Sequence, residues 1–217
     1  CALPIPIDVM DALGSAIRVD SRQTEVLRVL PRLNEDVNEE WISDKTRYAC
    51  DGLLRQRLDR PYLRKDGKLE PASWQEAFAA IAARVKPLSG DKVAAISGDM
   101  TDCEAMTALK DLMTALGSQN IDCRQDGANW PNDARAGYIF NTSIAGIEDA
   151  DACLLIGTNP RWEAPLINTR LRKRSLAGGF PVGVVGARVD LTYPTRLLGA
   201  GPQTLKEIAE GRHDFCE

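Results

Sequence analysis

ADACLLIGTNPRWEAPLINTRLRKRSLAGGFPVGVV, residues 150–185, is the stretch that decides the fold. Its first eight residues form a short, mostly apolar run, as expected of a strand buried on both faces. Gly157-Thr158-Asn159-Pro160 closes that run with a turn. Residues from about Pro165 to Leu176 then read as a helix, Gly178-Gly179 ends it, and Val182 to Val185 forms a second strand. Strand, crossover helix and strand at this spacing make a βαβ unit with parallel strands. The fold class is therefore expected to be α/β.

Upstream of this unit, Ser73 with Glu76 three residues on forms a capping box for a helix reaching Lys86. Its stripe of Trp74, Phe78, Ile81 and Val85 has helical spacing and is expected to face a core, and Pro87 ends the helix. Val93 to Ile96 is strand-like. A helix from about Thr101 to Leu116 follows, capped by Gly117, and then a short strand near Ile121 to Arg124. Residues Gly127 to Thr142 are polar and turn-rich and read as a long loop. A last helix is expected from Pro202 to Glu210.

The front of the chain has a different character. Ile17 to Asp20 alternate apolar and polar, Val26, Leu27, Val29 and Leu30 form a second apolar run, and Ser21-Arg22-Gln23 makes a polar turn between them. A small antiparallel hairpin is expected. From Glu39 to Leu54 the pattern shifts toward helix, with Trp41, Tyr48 and Leu53 or Leu54 as anchors. Arg60-Pro61 marks a break, which divides the chain into a small β-rich module, 1–61, and an α/β domain, 62–217.

Composition sets the outer bounds. The 217 residues are 44% hydrophobic and 27% charged, as in ordinary globular proteins, and the net charge of −4 argues against nucleic acid as the main partner. No apolar run approaches the roughly 18 residues of a membrane-spanning helix, so membrane residence would have to come through partners. Six cysteines, Cys1, Cys50, Cys103, Cys123, Cys153 and Cys216, are scattered without a C-x2-C pair. They read as buried free thiols in a reducing compartment. The chain begins with Cys1 and shows no basic start followed by an apolar core, so its N-terminus is expected to be processed or cut from a longer protein.

IDVMDALGSAI (7–17), EVLRVLPRLNEDVNEEWISDKTRYACDGL (25–53) and IGTNPRWEAPLINTRLRK (156–173) resemble the molybdopterin oxidoreductases, and among them the large iron–sulfur subunit of respiratory complex I. The resemblance runs from Ile7 to about Phe215, leaving Cys1 to Pro6 outside it. In that family the front module places cysteines as C-x2-C-x3-C, with a fourth roughly 27 residues on, just before an Asp-Lys pair. Laid onto this chain, those positions fall on Asp8, Asp11, Ser15 and Ser43. Carboxylates and hydroxyls are hard donors, whereas iron–sulfur clusters are held by soft thiolates. The resemblance thus implies a degenerate module without cluster ligands, followed by a partial, mostly parallel molybdopterin-oxidoreductase-like domain. It also implies that the electron-carrying clusters lie in an N-terminal region absent here. The family's α/β domain continues beyond Glu217, so part of its sheet is expected to be missing or supplied by another polypeptide.

The remaining candidates read blandly. A similar G-x-N-P turn sits in the pterin-dinucleotide domain of that family, at the strand edge where open α/β sheets bind ligands. After the second strand the family has an acidic residue and Pro-Arg to hold the nucleotide. This chain instead reads Val185-Gly186-Ala187-Arg188 and lacks a G-x-G-x-x-G fingerprint. Arg161, Arg170, Arg172, Lys173 and Arg174 are expected on a solvated or subunit-facing surface. Asp8 and Asp11 read as a surface pair, and the lone histidine, His213, as exposed. Asn141-Thr142-Ser143 matches the glycosylation sequon, without consequence in a reducing compartment. Trp41, Trp74, Trp130 and Trp162 are expected to be core or interface anchors.

No catalytic, cofactor-binding or metal residue is assigned. The resemblance implies a scaffolding segment in the peripheral arm of complex I, supporting electron transfer from NADH to quinone without a cofactor of its own. Its partners would be other peripheral-arm subunits and the remaining pieces of the same subunit. Its location would be the mitochondrial matrix side or bacterial cytoplasmic side of the inner membrane. The alternatives are a fragment of an active molybdopterin-dependent oxidoreductase and a free-standing α/β nucleotide-binding module.

Overall fold

A computed structural model of the chain describes residues 6–98, 100–123 and 133–217. Two compact units form: residues up to Arg55 together with Ile139–Glu217, and Gln56–Tyr138. In space, then, the front module folds with the βαβ half of the chain, and the segment between them makes its own unit.

In the first unit, β1 (Ile17–Arg22) and β2 (Glu25–Pro31) pair antiparallel, Ile17 opposite Pro31 and Arg22 opposite Glu25. The turn lies one residue later than the sequence pattern suggests, on Gln23-Thr24, with Gln23 in the left-handed region at φ 55°. Ile17 and Val29 point inward and meet Ile42, making a small core. The helix expected over 39–54 is interrupted. Only α1 (Asp44–Tyr48) is α-helical, and the chain tightens into a 3-10 turn over Ala49–Leu54. Ser43 caps α1 by accepting from the Thr46 N–H at 3.2 Å.

The βαβ unit forms as expected. Strand β7 (Cys153–Ile156) leads through α4 (Pro160–Glu163) and α5 (Pro165–Leu176) to β8 (Val182–Val185), parallel and in register Cys153 to Val182. A third parallel strand, β9 (Arg196–Gly199), completes the order β7-β8-β9; the sequence pattern did not disclose it. Strand β8 is central and buried along its whole length, which is why its composition is apolar at consecutive positions. A side chain at Gly183 would collide with Leu198 and Phe215, 2.8 Å from its Cβ, so glycine lets the C-terminal segment lie against the sheet. Ile147, Leu155, Leu171, Phe180, Val182, Val184 and Leu191 form the main core. Helix α6 (Pro202–Ala209) follows β9.

The second unit holds the hairpin of β3 (Tyr62–Lys65) and β4 (Lys68–Pro71), not anticipated as strands. Asp66 and Gly67 both have positive φ, 47° and 82°, as a two-residue hairpin turn matched to strand twist requires. Helix α2 (Trp74–Val85) starts with the expected capping box: Glu76 accepts from the Ser73 N–H at 2.7 Å, and Ser73 Oγ accepts from the Glu76 N–H. Asp102 caps α3 (Cys103–Ala115). A single parallel pair joins β5 (Ala95–Ile96) to β6 (Ile121–Asp122). Arg124, the expected end of β6, lies outside the described residues, as do Trp130 and the first part, 127–132, of the expected 127–142 loop.

Two expectations about burial fail. Trp74, Phe78 and Ile81 are exposed, by 63, 61 and 58%, and Ala77 is the buried residue of α2. Periodicity reports that a helix has an apolar face but not what covers it. The five described cysteines are free thiols, yet Cys103, Cys123 and Cys216 are exposed, and Cys50 and Cys153 only half-buried.

Leu191 is the most deeply buried core side chain, 1% exposed. Leu191→Ala is expected to lower unfolding stability by about 2–5 kcal/mol, through lost transfer energy and a residual cavity. Urea denaturation followed by far-UV circular dichroism measures it, and a loss under about 1 kcal/mol would contradict this core assignment.

Candidate functional site: an oxygen-lined ligand loop

The loop between Ile7 and Ala16, whose ends bridge antiparallel, carries three of the four positions singled out above. The Asp8 N–H donates to the Ser15 carbonyl at 2.8 Å, which closes the loop. Asp8 is 3% exposed, so the expected surface pair of carboxylates is corrected: one member is interior. Its Oδ1 accepts from the Met10 N–H at 2.9 Å, and its Oδ2 accepts from the Thr46 hydroxyl at 2.5 Å. Thr46 Oγ1 in turn lies 2.9 Å from Ser43 Oγ. The first and fourth ligand positions are therefore joined through one hydroxyl. Thr46 had no sequence signal, because its partner stands 38 residues away.

Asp11 accepts from the Leu13 N–H at 2.9 Å. Burial, with the nearby Asp8 charge adding to it, pushes the Asp11 carboxyl above its ordinary range, while the Leu13 N–H and the Lys45 charge oppose the shift. Ser15 is fully buried.

Asn38 was also missed, and it organises the loop's surroundings. It is 2% exposed and uses both ends of its amide. Its Oδ1 accepts from the Ala16 N–H at 2.8 Å, and its Nδ2 donates to the carbonyls of Arg32, Glu39 and Trp41 at 3.0–3.2 Å.

The arginine group behaves differently from expectation. Arg170 is buried, not solvated: it donates to Glu148 Oε1 at 2.6 Å and to the carbonyls of Glu35 and Val37 at 2.6 and 3.2 Å. Lys173 bridges Glu39 and Glu148 at 2.8 and 3.0 Å. Arg161 pairs with Asp190, Arg172 reaches the Thr192 carbonyl, and Arg174 lies 5.0 Å over the Phe180 ring. Arg170 and Lys173 share Glu148 and the other three serve separate structural contacts, so the group as a whole does not converge on one site. His213, expected exposed, is half-buried, with its Nδ1 accepting from the Phe215 N–H at 3.1 Å.

At the carboxyl end of β7, Gly157 turns the chain and the Glu163 carboxylate folds back onto it. That carboxylate accepts from the Thr158 hydroxyl at 2.6 Å and the Asn159 N–H at 2.9 Å. These two bonds, the hydroxyl first, hold its carboxyl below the usual range. The Thr158 hydroxyl and the Asn159 N–H are thus occupied by a protein side chain.

With this geometry in place, comparison with known families is decisive. Residues 57–217 match the molybdopterin oxidoreductase family. The chain belongs to that family. Residues 6–51 match a second family, the NADH-ubiquinone oxidoreductase NDSU1/NuoG-like 4Fe-4S domain, so the resemblance read from the front motifs holds. The chain is 52% identical over 96% of its length to NADH dehydrogenase [ubiquinone] iron-sulfur protein 1, mitochondrial, of Solanum tuberosum. It is 48% identical over 97% to an NADH-quinone oxidoreductase subunit of Rickettsia conorii. It is also 49% identical over 94% to the NADH-ubiquinone oxidoreductase 78 kDa subunit, mitochondrial, of Neurospora crassa. It spans 28, 31 and 28% of these three relatives, less than a third of each.

The G-x-N-P turn, Gly157 to Pro160, is bonded from within the chain by Glu163. Gly186 continues the sheet by donating to the Gly199 carbonyl at 2.9 Å, and Arg188 is exposed. Among the described residues no group of three or more His, Cys, Asp and Glu is arranged for a metal, and no helix is long and apolar enough to cross a membrane.

Removing the Arg170 guanidinium leaves two loop carbonyls without their donor. Arg170→Met is expected to cost roughly 3 kcal/mol, the low end for one member of a buried pair, because Lys173 still neutralises Glu148. Hydrogen exchange should show lost protection over residues 34–39; unchanged protection there would refute the clamp.

Hydrogen bonding from Lys173, and then from Arg170, holds the Glu148 carboxyl below its ordinary value of 4.5. A depressed pKa stabilises the folded state above the unfolded value, and that stability is lost as pH falls through the folded one. Acid titration of stability should therefore show a decline beginning near pH 4.5 that is shallower in Glu148→Gln. Parallel curves for the two proteins would contradict this.

Proposed function

We propose that the chain is a scaffolding segment of a complex I large iron–sulfur subunit, placed in the peripheral arm and holding no cofactor of its own. One observation carries the reading: all four positions that would grip a cluster, Asp8, Asp11, Ser15 and Ser43, present oxygen, and two of them are already joined through Thr46. Iron–sulfur clusters need thiolates, so this donor set does not fit one. Nor does the strand edge fit a pterin dinucleotide, because the Glu163 carboxylate takes the donors a phosphate would use and would repel it. Residues 1–61 then serve as the degenerate cluster module and 62–217 as the partial molybdopterin-oxidoreductase-like domain, with no catalytic, cofactor or metal residue for electron transfer.

The scaffold works by presenting surface. Leu58, Pro61, Tyr62, Leu69 and Trp74 line an open cleft of about 680 Å³, and Phe78 stacks near Trp74 with ring centroids 5.6 Å apart. Exposed apolar surface of this kind suits burial against neighbouring peripheral-arm subunits or the rest of the same subunit. Tunnelling between clusters tolerates little change in spacing, which gives a rigid framework its value to electron flow from NADH to quinone. The segment reaches the inner membrane only through the complex, on the matrix side or the bacterial cytoplasmic side.

The test is to isolate the chain within its membrane complex and as purified protein. Co-purification with the complex is expected, and the purified chain should be colourless, without stoichiometric iron or molybdenum. A paramagnetic cluster signal seated in this chain would overturn the reading. Pterin fluorescence in its extract would turn it toward an active molybdopterin-dependent fragment.

A further inference from the structure

The 211–216 segment covers the second face of the β7-β8-β9 sheet, and a histidine fastens it there. Val182 and Val184 of the central strand belong to the main core, so Gly183 and Val185, which alternate with them, face the opposite side. On that side the Phe215 ring lies against Gly183, whose added Cβ would fall 2.8 Å from Phe215 Cζ. A parallel sheet needs cover on both faces, and Val185 is 2% exposed.

His213 is the only histidine of the chain, and its side chain is 13% exposed. Both ring nitrogens are engaged. Nδ1 accepts from the Phe215 N–H at 3.1 Å, and Nε2 lies 3.4 Å from the Leu198 carbonyl of β9, which can only accept. These partners require the neutral ring with its proton on Nε2. A proton on Nδ1 would set donor against donor and break the bond to Phe215. Among the described residues Asp214 is the charged group paired with the ring, its Oδ1 3.0 Å from Nδ1. From β9, Arg196 pairs with Asp214; at the end of α6, Glu210 pairs with Arg212 and lies 4.0 Å from Lys206.

We propose that His213 is a proton-operated latch. Neutral, it fastens the 211–216 segment over the sheet; protonated, it turns Nδ1 to Asp214, frees the Phe215 N–H and loosens the aromatic cover over Gly183. Asp214 adjoins His213 in the chain and attracts the proton whether or not the segment is docked. The bond to Phe215 is lost only from the docked form. The docked segment therefore takes up the Nδ1 proton less readily than the undocked one. Docking is complete above the range in which histidines titrate and weakens as pH falls through it, from about 8 to 5. The latch goes beyond the scaffolding role and does not depend on it.

The whole 217-residue chain, labelled with 15N, would be titrated by NMR from about pH 8 to 5. The spectra follow the His213 ring nitrogens and the Phe215 amide, whose exchange rate is divided by that of an unstructured amide at the same pH. The Nε2–H tautomer is expected at the upper end. On acidification the Phe215 signal should move with the midpoint of the ring, and its protection should fall roughly fivefold, the worth of one ordinary hydrogen bond. Asp214→Asn should lower the midpoint, and His213→Gln should abolish the pH dependence at Phe215. Circular dichroism checks that both variants fold; should either fail, the wild-type titration decides. An Nδ1–H tautomer, a ring that stays neutral through the range, or a ring that titrates while Phe215 is unmoved would each overturn the latch. So would an unchanged midpoint in folded Asp214→Asn, or the same pH dependence in folded His213→Gln.

Discussion

The larger unit depends on one guanidinium sealed between two segments far apart in the chain. Arg170 sits on the crossover helix of the βαβ unit and donates to the carbonyls of Glu35 and Val37, 135 and 133 residues away, while Glu148 balances its charge. A buried arginine is costly unless its donors are met, and its planar fork can meet several acceptors at once. The consequences run outward from there. The loop it holds contains Asn38, whose amide fastens the Ala16 N–H and three carbonyls. Ala16 in turn closes the ligand loop against Ile7. The front module thus owes its position to the sheet, which explains why the two pieces form a single unit across an intervening segment that folds separately.

In a cluster-binding module the metal itself supplies much of the organising energy, because thiolate ligation is coupled to folding. On the cluster-free reading that energy has to come from elsewhere. The Asp8–Thr46–Ser43 bridge and the Asn38 amide hold the same frame with hydrogen bonds, and those to a charged group contribute about 1.5–3 kcal/mol each. The replacement is incomplete, since Asp11 Oδ2 and Ser15 Oγ remain unmatched by protein atoms. Internal contacts also close the turn at the carboxyl end of β7. There Glu163 accepts from the Thr158 hydroxyl and the Asn159 N–H. Both places have turned inward, and what faces outward is apolar: the cleft beside Trp74 and the bare face of α2.

Local chemistry was legible residue by residue. The capping box at Ser73 and Glu76, the βαβ unit with its crossover helix, the β1–β2 hairpin and α6 all follow from short-range spacing, and all are present. Where reading failed, the deciding partner was remote or absent. Nothing near Arg170 distinguishes it from Arg172 or Arg174, and its burial comes from carbonyls in a segment far back along the chain. Asp8 looked like a surface carboxylate because Thr46, which encloses it, lies in another element. The α2 stripe had the right period but no cover within the described residues. The interrupted helix after Ser43 shows the same limit, with tertiary contacts to β2 overriding a weak periodic signal.

By itself the amino-acid order determined the α/β class, the family, and the presence of oxygen-bearing side chains at Asp8, Asp11, Ser15 and Ser43, because each is a property of residue identity and short spacing. Only the tertiary structure decided that one of those oxygens is tied to Thr46, that two others stand unmatched, and that an arginine drawn from a seemingly solvated row is the pin between module and sheet. Burial and long-range hydrogen bonding depend on which distant segments meet, and a linear pattern carries no record of that meeting.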